Sequence, residues 1–172
     1  MTADRSTERI GPPPTAGERE TLRAFLDYQR ATLAMKCDGL SDDDLRRQSM
    51  PPSTLSLLGL VRHMAEVERT WFRRVINCED IGLVWSDRVD YQVAYDARAA
   101  SRSEAFATWE AEVEQSRRIE ANAPSLDVVG HQARWDQDVS LRLVMIHVLL
   151  EYARHNGHAD FLREAIDGIV GA

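Results

Sequence analysis

The 172-residue chain is predicted to be all-α, a four-helix bundle with a long crossover between its second and third helices. Four long segments repeat apolar side chains at the period of an α-helix. Residues 79–100 carry no such period, and a link of that length inside a compact domain suits the connection between two successive parallel helices. No Asn-Gly or Asp-Gly turn joins two alternating runs, so no β-hairpin is expected.

The chain is predicted to hold one domain over residues 17–172, preceded by a polar, proline-rich and flexible lead-in over residues 1–16. This lead-in lacks the apolar core of a signal peptide, and no run of 18 apolar residues occurs, so a cytoplasmic protein is expected. Cys37 and Cys78 stand far apart and fit reduced, buried thiols. The net charge of −7 argues against nucleic-acid binding.

The first helix is predicted from about Gly17 to Cys37, and Gly39 is placed to end it. Ser41 can cap the short stretch DDDL that follows. The apolar face of the first helix is supplied by Leu22, Phe25, Leu26, Thr32, Leu33 and Met35.

The second helix is predicted to begin near Ser53 to Ser56, after a pair of prolines, and to run to about Asn77. Apolar residues recur along it at spacings of three and four, which is typical of a helix that faces a core. That inward line is Leu60, His63 or Met64, Val67, Trp71 and Val75.

The third helix is predicted to open at Ser101, where Ser101 and Glu104 form a capping-box pattern, and to end before Pro124. A second loop is expected over residues 124–138, and His131 is expected to be solvated there. The fourth helix is predicted from near Ser140 to about Asp167. The two loops, 79–100 and 124–138, are expected to form any substrate pocket.

The fourth helix contains the stretch HVLLEYARHNGH, which places four polar groups on its inward face. At 100° per residue, these side chains fall within about 80° of one another, on the line that apolar residues continue at both ends. They are His147, Glu151, His155 and His158. Because burying them unpaired would cost several kcal/mol each, either a hydrogen-bonded network or a metal ion is expected.

Glu151 and His155 stand four residues apart, so their side chains meet on one helical turn and both can reach one ion. His63 lies on the inward line of another helix and is the candidate third ligand. Two imidazoles and one carboxylate leave coordination positions open, as in catalytic metal sites. The spacing alone leaves open a structural salt bridge or hydrogen-bonded network.

Two blocks, PPSTLSLLGLVRHMAEVERTWF over residues 51–72 and SLRLVMIHVLLEYARHNGHADFLREAIDG over residues 140–168, together with the spacing between them, resemble the DinB-like superfamily. The resemblance covers nearly the whole chain and is closest to a group of small actinobacterial proteins defined by a domain of unknown function, DUF664. It implies an up-down-down-up four-helix bundle, often a homodimer. Members of the superfamily typically bind metal through a His on the second helix and an HxxxH pair on the last helix, and here Glu151 stands in place of the first His of that pair. The mycothiol-dependent maleylpyruvate isomerase branch is similar in using an ExxxH pair.

The resemblance implies a divalent metal, zinc or nickel, held by His63, Glu151 and His155. It also implies a thiol cosubstrate such as mycothiol, which the metal activates for transfer to a small electrophile. Arg62 and Arg154 neighbour the predicted ligands and are candidates for binding a cosubstrate carboxylate.

Two questions stay open at the level of sequence. His147 and His158 can be alternative ligands or groups that orient the ligands. The protein can be a thiol S-transferase, a metal-dependent hydrolase that uses the same ligands, or a non-catalytic helical protein. No partner among nucleic acids or membranes is expected.

Overall fold

The computed structural model describes residues 9–86 and 90–171, and in these ranges the chain is mostly helical, as predicted. No helix in these ranges is long and apolar enough to cross a membrane. Residues 1–8 of the predicted lead-in lie outside the described residues, and residues 9–17 contain no helix. The elements, in chain order, are α1 (Glu18–Cys37), α2 (Asp42–Arg46), α3 (Leu57–Glu68), α4 (Arg102–Asn122), β1 (Val129–Gln132), β2 (Gln137–Ser140) and α5 (Leu141–Asp167).

Four of the predicted helix starts are confirmed by serine caps. Each of four serine hydroxyls accepts a hydrogen bond from the backbone N–H three residues on, which satisfies a donor that the first helical turn leaves free. These serines are Ser41, Ser56, Ser101 and Ser140. Gly39 follows α1 with a φ of 71°, a conformation that glycine adopts without strain.

The second predicted helix is α-helical only as far as Glu68. The segment Arg69–Ile76 continues it as a π-helix, and the N–H of Asn77 donates to the carbonyl of Phe72 at 2.9 Å. The prediction of one α-helix to Asn77 is therefore wrong over its last two turns. Trp71 and Val75 are nevertheless buried as predicted, and their spacing of four residues did not distinguish the two windings.

A small antiparallel hairpin occupies most of the predicted loop 124–138, so that prediction is wrong. β1 and β2 pair with Val129 opposite Ser140 and Gln132 opposite Gln137. The turn between them has no glycine and instead places Asp136 at a φ of 51°, so it lacks the usual sequence pattern of a hairpin. A Cβ at Gly130 would overlap the backbone of Val75, which brings β1 directly against the π-helix.

The crossover over residues 79–100 is held against α3 by buried polar groups. One carboxylate oxygen of Glu66 accepts the N–H groups of Val84 at 2.8 Å and Trp85 at 2.9 Å. The indole of Trp85 donates to the carbonyl of Arg62 at 3.1 Å. Residues 87–89 lie outside the described part, and a short 3-10 turn, Val93–Tyr95, brings the crossover back to α3.

The buried apolar side chains form one cluster among the long helices, with α1 packed on α5 and α3 packed on both α4 and α5. Most predicted inward residues belong to it. Phe25 was predicted on the inner face of α1 but is 40% exposed. Cys37 is buried as expected, whereas Cys78 is exposed just past the π-helix, so the expectation that both thiols are buried is wrong for Cys78. Both thiols are free.

A buried hydrogen-bonded chain crosses the cluster and joins four helices. Arg30 of α1 makes a bidentate ion pair with Glu68 of α3 at 2.8 and 2.9 Å. The hydroxyl of Tyr152 on α5 donates to Glu68 at 2.8 Å, and the indole of Trp109 on α4 donates to that hydroxyl at 2.8 Å. Because each polar group has a partner, the network fixes how the helices meet without leaving a buried charge unpaired.

Candidate metal centre

The three predicted ligands converge at one point between α3 and α5. His63 Nε2 and His155 Nε2 each lie 3.5 Å from the same Glu151 oxygen, Oε2. One potential ligand atom from each residue lies within 4.8 Å of the other two. His63 and His155 are buried and Glu151 is half-buried, so the fold of two separate helices encloses the site.

Both ring nitrogens of His63 are buried, and neither has a hydrogen-bond partner within residues 9–86 and 90–171. Its 3.5 Å approach to Glu151 is too long for a good hydrogen bond. Tyr95 stacks on the ring with centroids 4.4 Å apart and planes 18° apart, which holds the imidazole in place. Burial lowers the pKa of His63, so the ring is neutral near pH 7 and presents a lone pair.

Glu151 is a strong acceptor at this site. The neighbouring His155 and then His63 hold the pKa of its carboxyl group well below the ordinary value. Arg154 Nη1 lies 3.5 Å from the other carboxylate oxygen, Oε1. The group is therefore ionised at neutral pH and offers its Oε2 to the two imidazoles.

His155 is oriented from both ends of its ring. Its Nδ1 lies 3.3 Å from Nδ1 of His158, and its Nε2 lies 3.4 Å from the hydroxyl of Tyr95. Burial, and then the charge of Glu151, raise the pKa of Tyr95 to about 12, so the hydroxyl keeps its proton. The contact with His158 leaves His155 Nε2 as the nitrogen that faces Glu151.

These residues fit a divalent cation. Tetrahedral coordination with bonds of about 2.1 Å separates neighbouring donor atoms by about 3.4 Å, which is close to the two distances of 3.5 Å observed here. The unpaired nitrogens of His63 supply a second reason, because an ion would satisfy a buried polar group that the protein leaves without a partner. Two imidazoles and a carboxylate are ordinary ligands for zinc and nickel.

The structure brings His147 and His158 beside the three-residue group but at different positions. His147 Nε2 lies 3.9 Å from Glu151 Oε1, the oxygen that faces away from the two other imidazoles. Its ring packs on Trp71 with centroids 4.2 Å apart. Burial lowers the pKa of both His147 and His158. His131 lies elsewhere, on β1, and it is exposed, as expected for a solvated side chain. Its Nδ1 lies 3.0 Å from Asp138.

The two candidate arginines point to different places. Arg154 lines a cavity of about 290 Å³ that opens beside His63 and Glu151. Arg62 is not among the residues that line this cavity. Its Nε donates to the carbonyl of Ala94 at 3.0 Å, and its guanidinium lies 4.2 Å from the centre of the Trp85 ring.

Two aromatic residues of this site were missed as functional candidates in the sequence. Tyr95 lies in the predicted crossover and Trp135 in the predicted loop 124–138, and neither stands in a sequence pattern that indicates a functional role. Both line the cavity, as do Arg134 and Gln132 of the hairpin. The residues therefore come from the two connections expected to form a pocket, but their spacing along the chain gave no signal of which side chains would point inward.

The chain matches the model of a known protein family. The family model described as mycothiol-S-transferase matches residues 21–168, which is most of the chain and includes all three candidate ligands. A search of curated proteins found no match.

Proposed function

Because this chain belongs to the mycothiol-S-transferase family, we propose that it is a divalent-metal-dependent enzyme that joins mycothiol to a small electrophile. The observation that carries the proposal is the convergence of His63, Glu151 and His155, with unpaired buried nitrogens, beside an open cavity. The metal is proposed to be zinc, with nickel as the alternative.

The reaction exchanges one bond for another at an electrophilic carbon. A bond forms between the thiol sulfur and this carbon, the thiol proton is lost, and the leaving group departs with its electron pair. A bound divalent ion supplies Lewis acidity that lowers the pKa of a coordinating thiol. No side chain of the protein needs to form a covalent intermediate.

The side chains around the cavity have the remaining tasks. Glu151, His63 and His155 hold the ion. His147 is neutral because burial lowers its pKa, so one of its ring nitrogens can accept the thiol proton inside the cavity. Trp71 and Tyr95 also line the cavity, and we assign their aromatic rings to limiting the access of water to the reacting atoms.

We further infer an up-down-down-up bundle of α1, α3, α4 and α5 as a single domain over residues 17–172, acting in the cytoplasm. The long connection between α3 and α4 and the packing of α1 on α5 support this arrangement.

We also propose a homodimer. Leu143, Ile146 and Leu150 are exposed on one side of α5 at helical spacing, and a dimer could cover them. Light scattering on the purified protein measures the oligomeric state.

The metal is tested by elemental analysis of purified protein. The wild-type protein is expected to hold close to one zinc or nickel ion per chain, and His155→Ala is expected to lose it. His131→Ala is the matched control, since this histidine is exposed on the hairpin away from the site. A metal-free wild-type protein whose His155→Ala variant is equally folded would contradict the proposal in favour of a non-catalytic helical protein.

The reaction is tested by supplying mycothiol and monobromobimane to the metal-loaded protein. Formation of the fluorescent mycothiol conjugate, above the rate without enzyme and dependent on His155, is the expected result. Conversion of ester or amide probes without mycothiol, by a protein that forms no conjugate, would instead favour the hydrolase.

A further inference from the structure

We propose that the cavity beside His63 and Glu151 selects a planar electrophile with a single ring and a carboxylate. An aromatic wall would contact the ring, and two arginines would bind the carboxylate. This inference rests on the proposed function, because it names the class of electrophile that the same site would take. It is carried by the side chains that line the cavity and by the hairpin that presents two of them.

An aromatic wall forms one side of the cavity. The rings of Trp71 and Trp135 have centroids 5.0 Å apart, and His147 packs on Trp71 at 4.2 Å. Trp135 is 41% exposed although it is a large apolar side chain, so part of its ring is free to contact a ligand. Flat rings of this kind bind planar molecules by stacking.

The hairpin explains why Trp135 lies here. Its turn places Arg134 and Trp135 between β1 and β2, and Asp136 completes the turn in a left-handed conformation. Because Gly130 allows β1 to lie directly on the π-helix, the tip of the hairpin reaches the side of the cavity that Trp71 forms. A loop without this pairing would not fix the two side chains together.

The rim of the cavity is positively charged, although the whole chain has a net charge of −7. Arg134 and Arg154 both line it. The one carboxylate among the described lining residues is Glu151, which the proposed metal uses as a ligand. No carboxylate in residues 9–86 or 90–171 pairs with Arg134, and Arg154 approaches only Glu151, at 3.5 Å.

Arg134 pairs with no carboxylate among the described residues, and Arg154 shares Glu151 with the proposed metal, so the two guanidinium groups favour an anionic ligand. A guanidinium binds a carboxylate through two parallel hydrogen bonds, so a carboxylate suits this rim better than an uncharged polar group. The volume of about 290 Å³ is at the small end of ligand pockets and suits one ring with short substituents. Mycothiol carries no carboxylate, so we assign the anionic group to the electrophile, and Arg154 to that group rather than to the cosubstrate carboxylate expected from the sequence.

Binding is tested by calorimetry on the metal-loaded protein with two probes of nearly equal shape, 4-nitrobenzoate and 4-nitrobenzamide. The carboxylate is expected to bind at least about tenfold more tightly than the amide, because hydrogen bonds to a charged group are stronger than those to a neutral one. Arg134→Gln and Arg154→Gln are each expected to remove most of this preference while leaving the affinity for 4-nitrobenzamide unchanged. Trp135→Leu is expected to weaken the binding of both probes. Arg118 is exposed on α4, so Arg118→Gln is the control that should change neither affinity.

A second measurement uses turnover with mycothiol. Arg134→Gln is expected to raise the KM for 4-(bromomethyl)benzoate several-fold without raising that for 4-(bromomethyl)benzamide. Equal affinity of the wild-type protein for the two nitro probes would overturn the inference. So would benzoate binding that survives both arginine substitutions but is lost in His155→Ala, since the carboxylate would then contact only the metal.

The two proposals fail separately. A protein that makes the mycothiol conjugate but does not distinguish the carboxylate from the amide leaves the proposed function standing and overturns the inference. A protein that binds 4-nitrobenzoate through its arginines but holds no metal and forms no conjugate supports the ligand class and contradicts the proposed function.

Discussion

The Nδ1 atoms of His155 and His158 lie 3.3 Å apart, which is a contact between two ring nitrogens of which only one can carry the shared proton. If His155 Nε2 binds a metal, its Nδ1 must carry that proton, and His158 Nδ1 is the acceptor. His158 then fixes the orientation and tautomer of a ligand that it does not replace.

We therefore expect His158→Ala to weaken metal binding by about 10- to 100-fold, the usual cost of removing the partner of a metal-bound histidine. Competition with a chromophoric chelator measures the affinity, and His131→Ala is the control. Equal affinity of His158→Ala and the wild-type protein would show that the contact does not orient His155.

The buried pair of Arg30 and Glu68 yields a prediction about stability. The two side chains are 5% and 0% exposed, so Arg30→Met would leave a buried carboxylate without its counter-ion. The expected loss is about 3–5 kcal/mol in the free energy of unfolding, measured with urea.

The double variant Arg30→Met with Glu68→Met is expected to recover much of that loss, since it removes both charges. Arg118→Met, which breaks an exposed pair with Glu114, should change stability by less than about 1 kcal/mol. A loss no greater in Arg30→Met than in Arg118→Met would contradict the view that the buried network organises the helices.

Two helical glycines provide a matched pair of substitutions. A Cβ at Gly59 would lie 2.6 Å from the backbone oxygen of Tyr95, so Gly59→Ala must displace the crossover and is expected to cost about 1–3 kcal/mol. A Cβ at Gly157 on α5 meets no atom of the described residues within 4 Å, and Gly157→Ala is expected to gain about 0.5–1 kcal/mol. Thermal or urea unfolding measures both.

The packing requires that Gly59→Ala lowers the free energy of unfolding and that Gly157→Ala raises it. Gly59→Ala should also weaken metal binding, because Tyr95 would move from its place against His63 and His155. If Gly59→Ala were as stable as the wild-type protein, the crossover would not be packed on α3 as the structure has it.

The two cysteines are expected to react very differently with a thiol reagent. Burial raises the pKa of the Cys37 thiol to about 12, so at pH 8 almost none of it is thiolate, and it is also inaccessible. Cys78 is exposed. We expect one fast-reacting thiol per native chain with Ellman's reagent at pH 8, and two after unfolding in guanidinium chloride.

The variant Cys78→Ser is expected to leave no fast-reacting thiol in the native protein. Rapid reaction of two thiols in the native wild-type protein would be incompatible with a buried Cys37. This measurement also bears on the source of the thiol in the proposed reaction, since neither cysteine lines the cavity.

The sequence by itself determined the features that depend on neighbours along one helix. Serines that stand just before a helical run predicted where helices begin, because the capping hydrogen bond joins residues only three apart in the chain. The spacing of Glu151 and His155 predicted that both face one point, because four residues make one turn. It also identified His63 as inward-facing, although it could not measure its distance from the other two.

Only the tertiary structure decided which groups meet across helices and loops. His63 lies 3.5 Å from Glu151 because α3 packs on α5, and Tyr95 reaches both histidines because Gly59 admits its backbone. The hairpin and the π-helix lacked local sequence patterns, and they pack closely against each other where Gly130 meets the backbone of Val75. The periodicity of one helix fixes the direction of a side chain, and long-range packing fixes what it touches.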